Sequence, residues 1–364
     1  MNSHSAQTTN GPALRILFLT KYSSAGASSR YRVYQYLPYL EQAGYACQVS
    51  PLFDDDYLHN RYVLGRGKPA DFMAAFWRRL RALLSCRRFD LLVIEYELLP
   101  FFPPFIERLL QRLGIPYIVD YDDALFHQYD SHRRIVVRRM LGGKIAAVMR
   151  GARAVIAGNR YLADYAREAG ARRVEMIPTV VDLDRYPVEA TDSPTFTIGW
   201  IGSPATAGYL DDIAPALRDV CIDGDVRVRL VGAGDVDLPG VPVEVLPWNE
   251  ESEVACLQSF HVGIMPLPDT PWARGKCGLK LIQYMACGIP VVASPVGVNE
   301  ELLCGGQTGI SARDTADWIE ALRALQRNPS RRKDLGQAGR RLVEQSYSLQ
   351  ARWPEYLSLI RSLL

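Results

Sequence analysis

Residues 274–301, RGKCGLKLIQYMACGIPVVASPVGVNEE, restrict this chain to a narrow set of folds. After Gly278, the apolar residues Leu281, Ile282, Met285 and Ala286 recur at helical spacing, which predicts a helix with one buried face. Gly288 stops that helix, and Pro290 follows the stop. Val291, Val292 and Ala293 then read as a short buried strand, and Pro295-Val296-Gly297 turns the chain into a second helix. A helix feeding a fully apolar strand is the repeating step of a parallel sheet covered on both faces. Arg274, Lys276 and Lys280 crowd the start of the first helix, where free amides and cations together suit a phosphate. A solvated cationic loop is the plainer fate for the same residues.

The step repeats along the chain. Strands are expected at 15–20, 45–49, 91–95, 117–120 and 154–157, then at 196–201, 226–231, 243–246 and 262–265, with 291–293 ending the sheet. A small-residue loop containing Gly26 follows the first strand and leads into a helix over 30–45. Strand, glycine-containing loop and helix is the first unit of a Rossmann-like fold, although no complete GxGxxG is present. The polar, proline-bearing stretch 187–194 reads as a linker, and 347–364 as a final amphipathic helix. The expected division is a disordered tail over 1–12, a first domain over 13–187, a second over 188–346, and the helix 347–364. With 364 residues, 48% of them hydrophobic, the chain can fill two cores.

A second stretch, AVIAGNRYLADYAREAGARRVEMIPTVVDLDRYPV at 154–188, joins LIQYMACGIPVVASPVG in carrying a family likeness. Together they resemble the GT-B glycosyltransferases, specifically the retaining family four, over roughly residues 13–360. The resemblance implies two Rossmann-like parallel-sheet α/β domains facing a central cleft, with the C-terminal helix crossing back to the first. It implies transfer of a sugar, with retention, from a nucleotide diphosphate-sugar to a glycan or lipid-linked acceptor in surface polysaccharide or glycoconjugate synthesis. It further implies a UDP- or GDP-linked donor substrate, no cofactor and no metal.

The resemblance also nominates site residues. Lys280 matches a family lysine and, with Arg274, Lys276 and the backbone at Gly278, forms the expected clamp on the leaving diphosphate. Two family glutamates, eight positions apart, correspond here to Gly275 and Gln283. Gln283 can still reach a ribose hydroxyl through its amide, whereas Gly275 offers no side chain. Where relatives place an Arg and a Lys, this chain reads IGWIGSPATAGYLDDI, leaving Gly202, Ser203 and Thr206 as donor contacts. Glu301 closes the donor set.

In the first domain VDYDDALFH places Asp120, Asp122, Asp123 and His127 at a strand's carboxyl end. Asp122 and Asp123 are candidates for orienting or deprotonating an acceptor hydroxyl, and Gly26, Arg30 and His127 for binding it. Two other fates stand open: the acids capping a helix and pairing with Arg133 or Arg134, and Arg30 forming an ordinary salt bridge.

Net charge is uneven. Residues 1–187 hold 26 Lys/Arg against 18 Asp/Glu, and residues 188–364 hold 16 against 22. The segment 71–89 sets Phe72, Phe76, Leu80 and Leu83 at helical spacing among five arginines, and 133–144 adds a basic patch. This reads either as an interfacial helix at an anionic membrane or as a core-facing helix with a charged exterior. No aromatic stacking platform accompanies the charge, which argues against nucleic acid. Seven cysteines without a CxxC pair, no signal-peptide pattern and no long apolar run lead to an expected cytoplasmic location, at the inner face of the membrane if membrane-bound. Two rival readings remain: a nucleotide-sugar epimerase of the same fold, and a non-catalytic sugar-nucleotide-binding or scaffold protein.

Overall fold

The computed structural model describes residues 13–64, 69–189, 193–222 and 224–364. The expected 1–12 tail and residues 190–192 of the expected linker lie outside these. The chain forms two six-stranded parallel sheets. The first contains β1 (Arg15–Leu19), β2 (Ala46–Val49), β3 (Leu91–Glu95), β4 (Tyr117–Tyr121), β5 (Ala154–Ala157) and β6 (Val174–Met176), in the order β2-β1-β3-β4-β5-β6. The second contains β7 (Phe196–Ile201), β8 (Val226–Val231), β9 (Val243–Leu246), β10 (Val262–Met265), β11 (Val291–Ala293) and β12 (Ile310–Ser311), in the order β12-β11-β10-β7-β8-β9.

Strands β3, β4, β5, β7, β10 and β11 are buried along their whole length, which is why each reads as an apolar run. The edge strands are different. β6 leaves Met176 exposed and β12 is two residues long, so neither carries the apolar run of the fully buried strands. The second sheet therefore extends one strand past β11, beyond where the apolar pattern ends it. The helix expected over 30–45 is also broken. Ala27–Arg32 gives way to a 3-10 turn at Tyr34–Tyr36, and Leu37–Gln42 restarts with Pro38 in its first turn.

The last helix, Leu349–Leu363, returns to the first sheet. Its Leu349, Tyr356, Leu359 and Ile360 join the core built on Ile16, Phe18 and Tyr36, and the Tyr36 and Tyr356 rings stack at 4.4 Å. The return is pinned where Val181 N donates to Tyr347 O at 3.1 Å and Leu349 N to Val181 O at 2.8 Å. In both sheets strand order reverses at the first strand, β1 or β7. Open α/β sheets leave their ligand crevice at the carboxyl end of such a strand.

Replacing Tyr356 by Ala removes a fully buried ring from between the last helix and the first sheet, and should cost about 3–5 kcal/mol. Urea unfolding of Tyr356→Ala beside the exposed control Arg361→Ala checks this, and equal midpoints would mean the helix is not part of that core.

Candidate active site

A cavity of about 660 Å³ lies between the loops that leave β1, β4 and β7 and the helix Leu279–Ala286. Gly278 caps that helix in the left-handed region at φ +69°, and a Cβ there would sit 2.6 Å from Leu302 Cδ1. Only glycine turns the chain this sharply in so little space. Gly278, Leu279 and Lys280 at this helix start line the cavity, and the first amides of a helix have no intrahelical acceptors.

Lys280 stands on that first turn. Its Nζ lies 4.4 Å above the Trp200 ring and 3.3 Å from Thr206 Oγ1, with no carboxylate in ion-pair range among the described residues. Burial first, and the neighbouring Lys276 second, hold its pKa down to about 7. Lys276 behaves oppositely: burial disfavours its charge, but Asp123, 3.5 Å away, raises its pKa overall. Gly202, Ser203 and Thr206 line the same wall.

The opposite wall belongs to the first domain. Asp122 accepts from Ser28 Oγ at 2.7 Å and forms a short hydrogen bond with the Tyr96 hydroxyl. Tyr96 holds a left-handed backbone at φ +63°, unusual for a ring-bearing residue and a form of strain that collects at functional sites. Burial pushes the Asp123 carboxyl up, against the pull of Lys276. The acids do not pair with Arg133 or Arg134. Asp120 is sealed behind the cavity on Arg32 at 2.8 Å, and burial sets its pKa near 6 despite that cation.

At one end of the cavity the two domains share a buried carboxylate. Glu253 accepts from Trp248 Nε1 at 2.7 Å, Tyr31 OH at 2.9 Å, Gln283 Nε2 at 3.0 Å and Tyr186 OH at 3.1 Å. Arg30 pairs with it at 3.4 Å and lies 4.8 Å over the Trp248 ring. Arg30 thus has the ordinary salt bridge and a place in the cavity wall at once. The Gln283 amide nitrogen, expected to be free for a ribose, is committed to this cluster.

Three nominated residues stand outside the cavity lining. Arg274 is exposed and pairs with Asp269 at 2.6 Å. Glu301 is exposed. His127 turns away, onto Asp130 at 3.0 Å and Tyr161 OH at 2.7 Å. Gly26 does line the cavity, with Tyr22 so close that a Cβ would come within 2.4 Å of it.

Sequence reading missed Glu253, Tyr31, Tyr96, Trp248 and Asn159. Asn159 and Tyr31 fall inside stretches already singled out, 154–188 and 30–45, and Tyr96 directly follows an expected strand, whereas Glu253 and Trp248 lie in no patterned stretch. Asn159 bridges the domains: its Nδ2 donates to Gly275 O at 2.9 Å and Lys276 O at 3.0 Å, while its Oδ1 caps the helix Arg160–Glu168. Gly275 is packed against the first domain, where a Cβ would lie 2.4 Å from Ala124 Cβ and 2.8 Å from its backbone nitrogen. The position matching a family glutamate is therefore an interdomain contact with no room for a side chain.

Two family profiles match the chain. One described as "Glycosyl transferases group 1" covers residues 195–328, and one described as "Glycosyl transferase 4-like domain" covers 47–179. A D-inositol 3-phosphate glycosyltransferase from Arthrobacter sp. (strain FB24) is 40% identical over 140 residues, 34% of this chain and 32% of that protein. One from Gordonia bronchialis is 36% identical over 204 residues, 49% of this chain and 44% of that protein. The alignments thus span between about a third and less than half of these curated relatives. Among solved structures, the Thermosynechococcus elongatus sucrose-phosphate synthase superposes at TM-score 0.68 with 17% identity, covering 96% of this chain and 99% of that one. Anabaena Alr3699/HepE in complex with UDP-glucose does so at 0.69 with 15% identity, covering 96% and 100%. These likenesses establish the GT-B fold.

Gly275→Ala should destabilise the chain by about 1–3 kcal/mol, and adding Ala124→Gly should recover only part, because the Ala124 backbone nitrogen is also in the way. Thermal unfolding of the single and double variants tests this, and a fully stable Gly275→Ala would show that the domains can part there without loss.

Proposed function

The chain belongs to the group 1, family 4-like glycosyltransferases, and from that premise we propose that it transfers a sugar from a nucleotide diphosphate-sugar to a glycan or lipid-linked hydroxyl acceptor. The observation that carries this reading is Lys280, a half-buried cation with no carboxylate in ion-pair range among the described residues, on a helix start that lines the same cavity. Such a cation can take an anion from outside, and a diphosphate supplies one. Lys276 would share it, with Ser203 and Thr206 completing the cradle.

In this reading the sugar lies between the Lys280 wall and the Asp122–Asp123 wall. The bond between the anomeric carbon and the phosphate oxygen breaks, and its electron pair stays on that oxygen, where Lys280 and the helix amides stabilise the growing charge. The acceptor oxygen bonds to the anomeric carbon on the same face, and its proton passes to the departing phosphate. Asp122, held by Ser28 and Tyr96, orients the acceptor hydroxyl. With Gly275 closed against Ala124, the sugar hydroxyls are gripped from the first-domain side, by Asp123 and Lys276, and not by a glutamate at position 275. Retention, a UDP- or GDP-linked donor and a role in surface polysaccharide or glycoconjugate synthesis extend the proposal. A lipid-linked acceptor would bring the chain to an anionic membrane.

Calorimetry with UDP, GDP, ADP, CMP and dTDP should give one preferred nucleoside diphosphate, whose binding Lys280→Ala abolishes; binding of none would favour a non-catalytic scaffold. Binding should also take up a proton. Below about pH 7 Lys280 is already charged, so little uptake is expected near pH 6. Above it the incoming anion restores the ammonium, so uptake should approach one proton near pH 8, with affinity weakening as pH rises. Titration in buffers of different ionisation enthalpy reads this directly, and uptake that persists in Lys280→Arg would assign the proton elsewhere.

A further inference from the structure

The helix Pro69–Leu84 packs one apolar face on the first core, yet it also buries a cation and exposes a second set of apolar side chains. Arg79 is fully buried, donating to Thr20 O at 2.5 Å and Ser50 O at 3.1 Å, while Met73 and Trp77 are each 62% exposed and Leu84 88%. With the exposed Leu80, these residues step by four, three and four, so they form one apolar stripe on the outside of the molecule. The four residues expected on one apolar face are divided: Phe72 and Leu80 are exposed, whereas Phe76 and Leu83 pack against the first core.

The stripe continues over neighbouring elements. The Phe76 ring meets Phe102 at 5.1 Å, and the adjacent Phe101 meets His132 at 6.2 Å, just before the helix Ile135–Leu141. Phe101 and Phe102 are both exposed, as are Ile135, Val136 and Met140 on that helix. This loop is braced from below. Phe101 sits at φ +59°, held by donation from its amide to Tyr129 OH at 3.1 Å, and Lys144 Nζ donates to Leu99 O at 2.7 Å. Lys144 and Tyr129 in turn share the buried Glu97. A loop strained and braced in this way presents its rings by construction.

The exposed charge on these elements has one sign. Arg81, Arg87 and Arg88 follow the stripe, Arg108 and Arg112 lie on the helix Phe105–Arg112, and 133–139 adds four more arginines. Glu107 is buried and Asp71 half-buried, so no described carboxylate of these elements is exposed. Aromatic and aliphatic side chains ringed by arginines match the boundary between acyl chains and anionic headgroups. A second copy of the chain would set the same arginines against one another. We infer that this face of the first domain docks on an anionic lipid surface. The inference extends the transfer reading to where the acceptor is met, and does not rest on it, since lipid binding is measured without donor.

The test is co-sedimentation of the full chain with phosphatidylcholine vesicles, with and without phosphatidylglycerol. Pelleting with the anionic vesicles alone is expected. Trp77→Ser/Leu84→Ser should weaken it roughly tenfold, and Arg138→Gln/Arg139→Gln should weaken it and flatten its salt dependence. All four side chains are exposed, so unchanged thermal unfolding and nucleotide binding would show the variants intact. Absent vesicle binding, equal binding to neutral and anionic vesicles, or binding that survives both double variants would overturn the inference. So would a dimer in light scattering that Trp77→Ser/Leu84→Ser dissolves, which would give the face to a second copy. Nucleotide binding that persists through any of these failures leaves the transfer reading standing.

Discussion

The cleft takes its shape from the approach of two backbones at Gly275 and Ala124. A single Cβ at 275 would collide with Ala124, so the loop 275–277 lies directly on the first domain. Asn159 holds that loop by two carbonyls, and its own orientation is fixed because its side-chain oxygen caps a first-domain helix. Cys277 closes the contact: it is buried, and Gly158 leaves room for its sulfur. Lys276 and Lys280 follow within five residues, so their reach toward Asp123 and Thr206 is set by the same contact. Moving the loop would move the cations.

The two ends of the cavity are electrostatically unlike. At the Glu253 end, four neutral donors and Arg30 converge on one buried carboxylate, which is how a charge survives burial. Tyr31 and Arg30 come from the first domain, Glu253 and Gln283 from the second, so the cluster also ties the domains together. At the Lys280 end the cation has a hydroxyl and an aromatic face for company and, among the described residues, no carboxylate in ion-pair range; burial and the neighbouring Lys276 leave its proton weakly held, against the more distant Asp123. One end is satisfied within the protein and the other is completed by an anion from outside.

Much of the fold was legible because parallel strands buried on both faces leave continuous apolar runs, as β3, β5, β10 and β11 do. β6 and β12 were not, since short edge strands leave no such run. In the site, Lys276, Lys280, Gly278, Asp122 and Asp123 were legible through their places after a strand or before a helix. Glu253, Tyr31 and Trp248 were not, because their meaning is a convergence of four separate segments on one point. Arg274 and His127 had the right chemistry in the right loops but found nearer partners, Asp269 and Asp130, a local choice that spacing does not reveal. Gly275 was visible as a missing carboxylate, but its reason, a neighbouring backbone from another domain, lies more than a hundred residues away in sequence.

Departures from ordinary folding rules are concentrated on the first-domain side. Of the three non-glycine residues with positive φ among the described residues, Tyr96 and Phe101 fall within six positions of each other after β3. One aims at the cavity through Asp122 and the other at the outer surface beside the apolar stripe. Between them Glu97 turns inward to Lys144 and Tyr129, which gives the strained segment a buried anchor. Arg79 completes the pattern: it spends its donors on the carbonyls of Thr20 and Ser50, at the ends of β1 and β2, and burial lowers its pKa to about 9. A cation placed inside and a tryptophan outside leave this helix with an apolar stripe on its outer face. The segment after β3 therefore joins two surfaces by one strained turn, so that whatever presses on Phe101 acts within six residues of the side chain that holds Asp122.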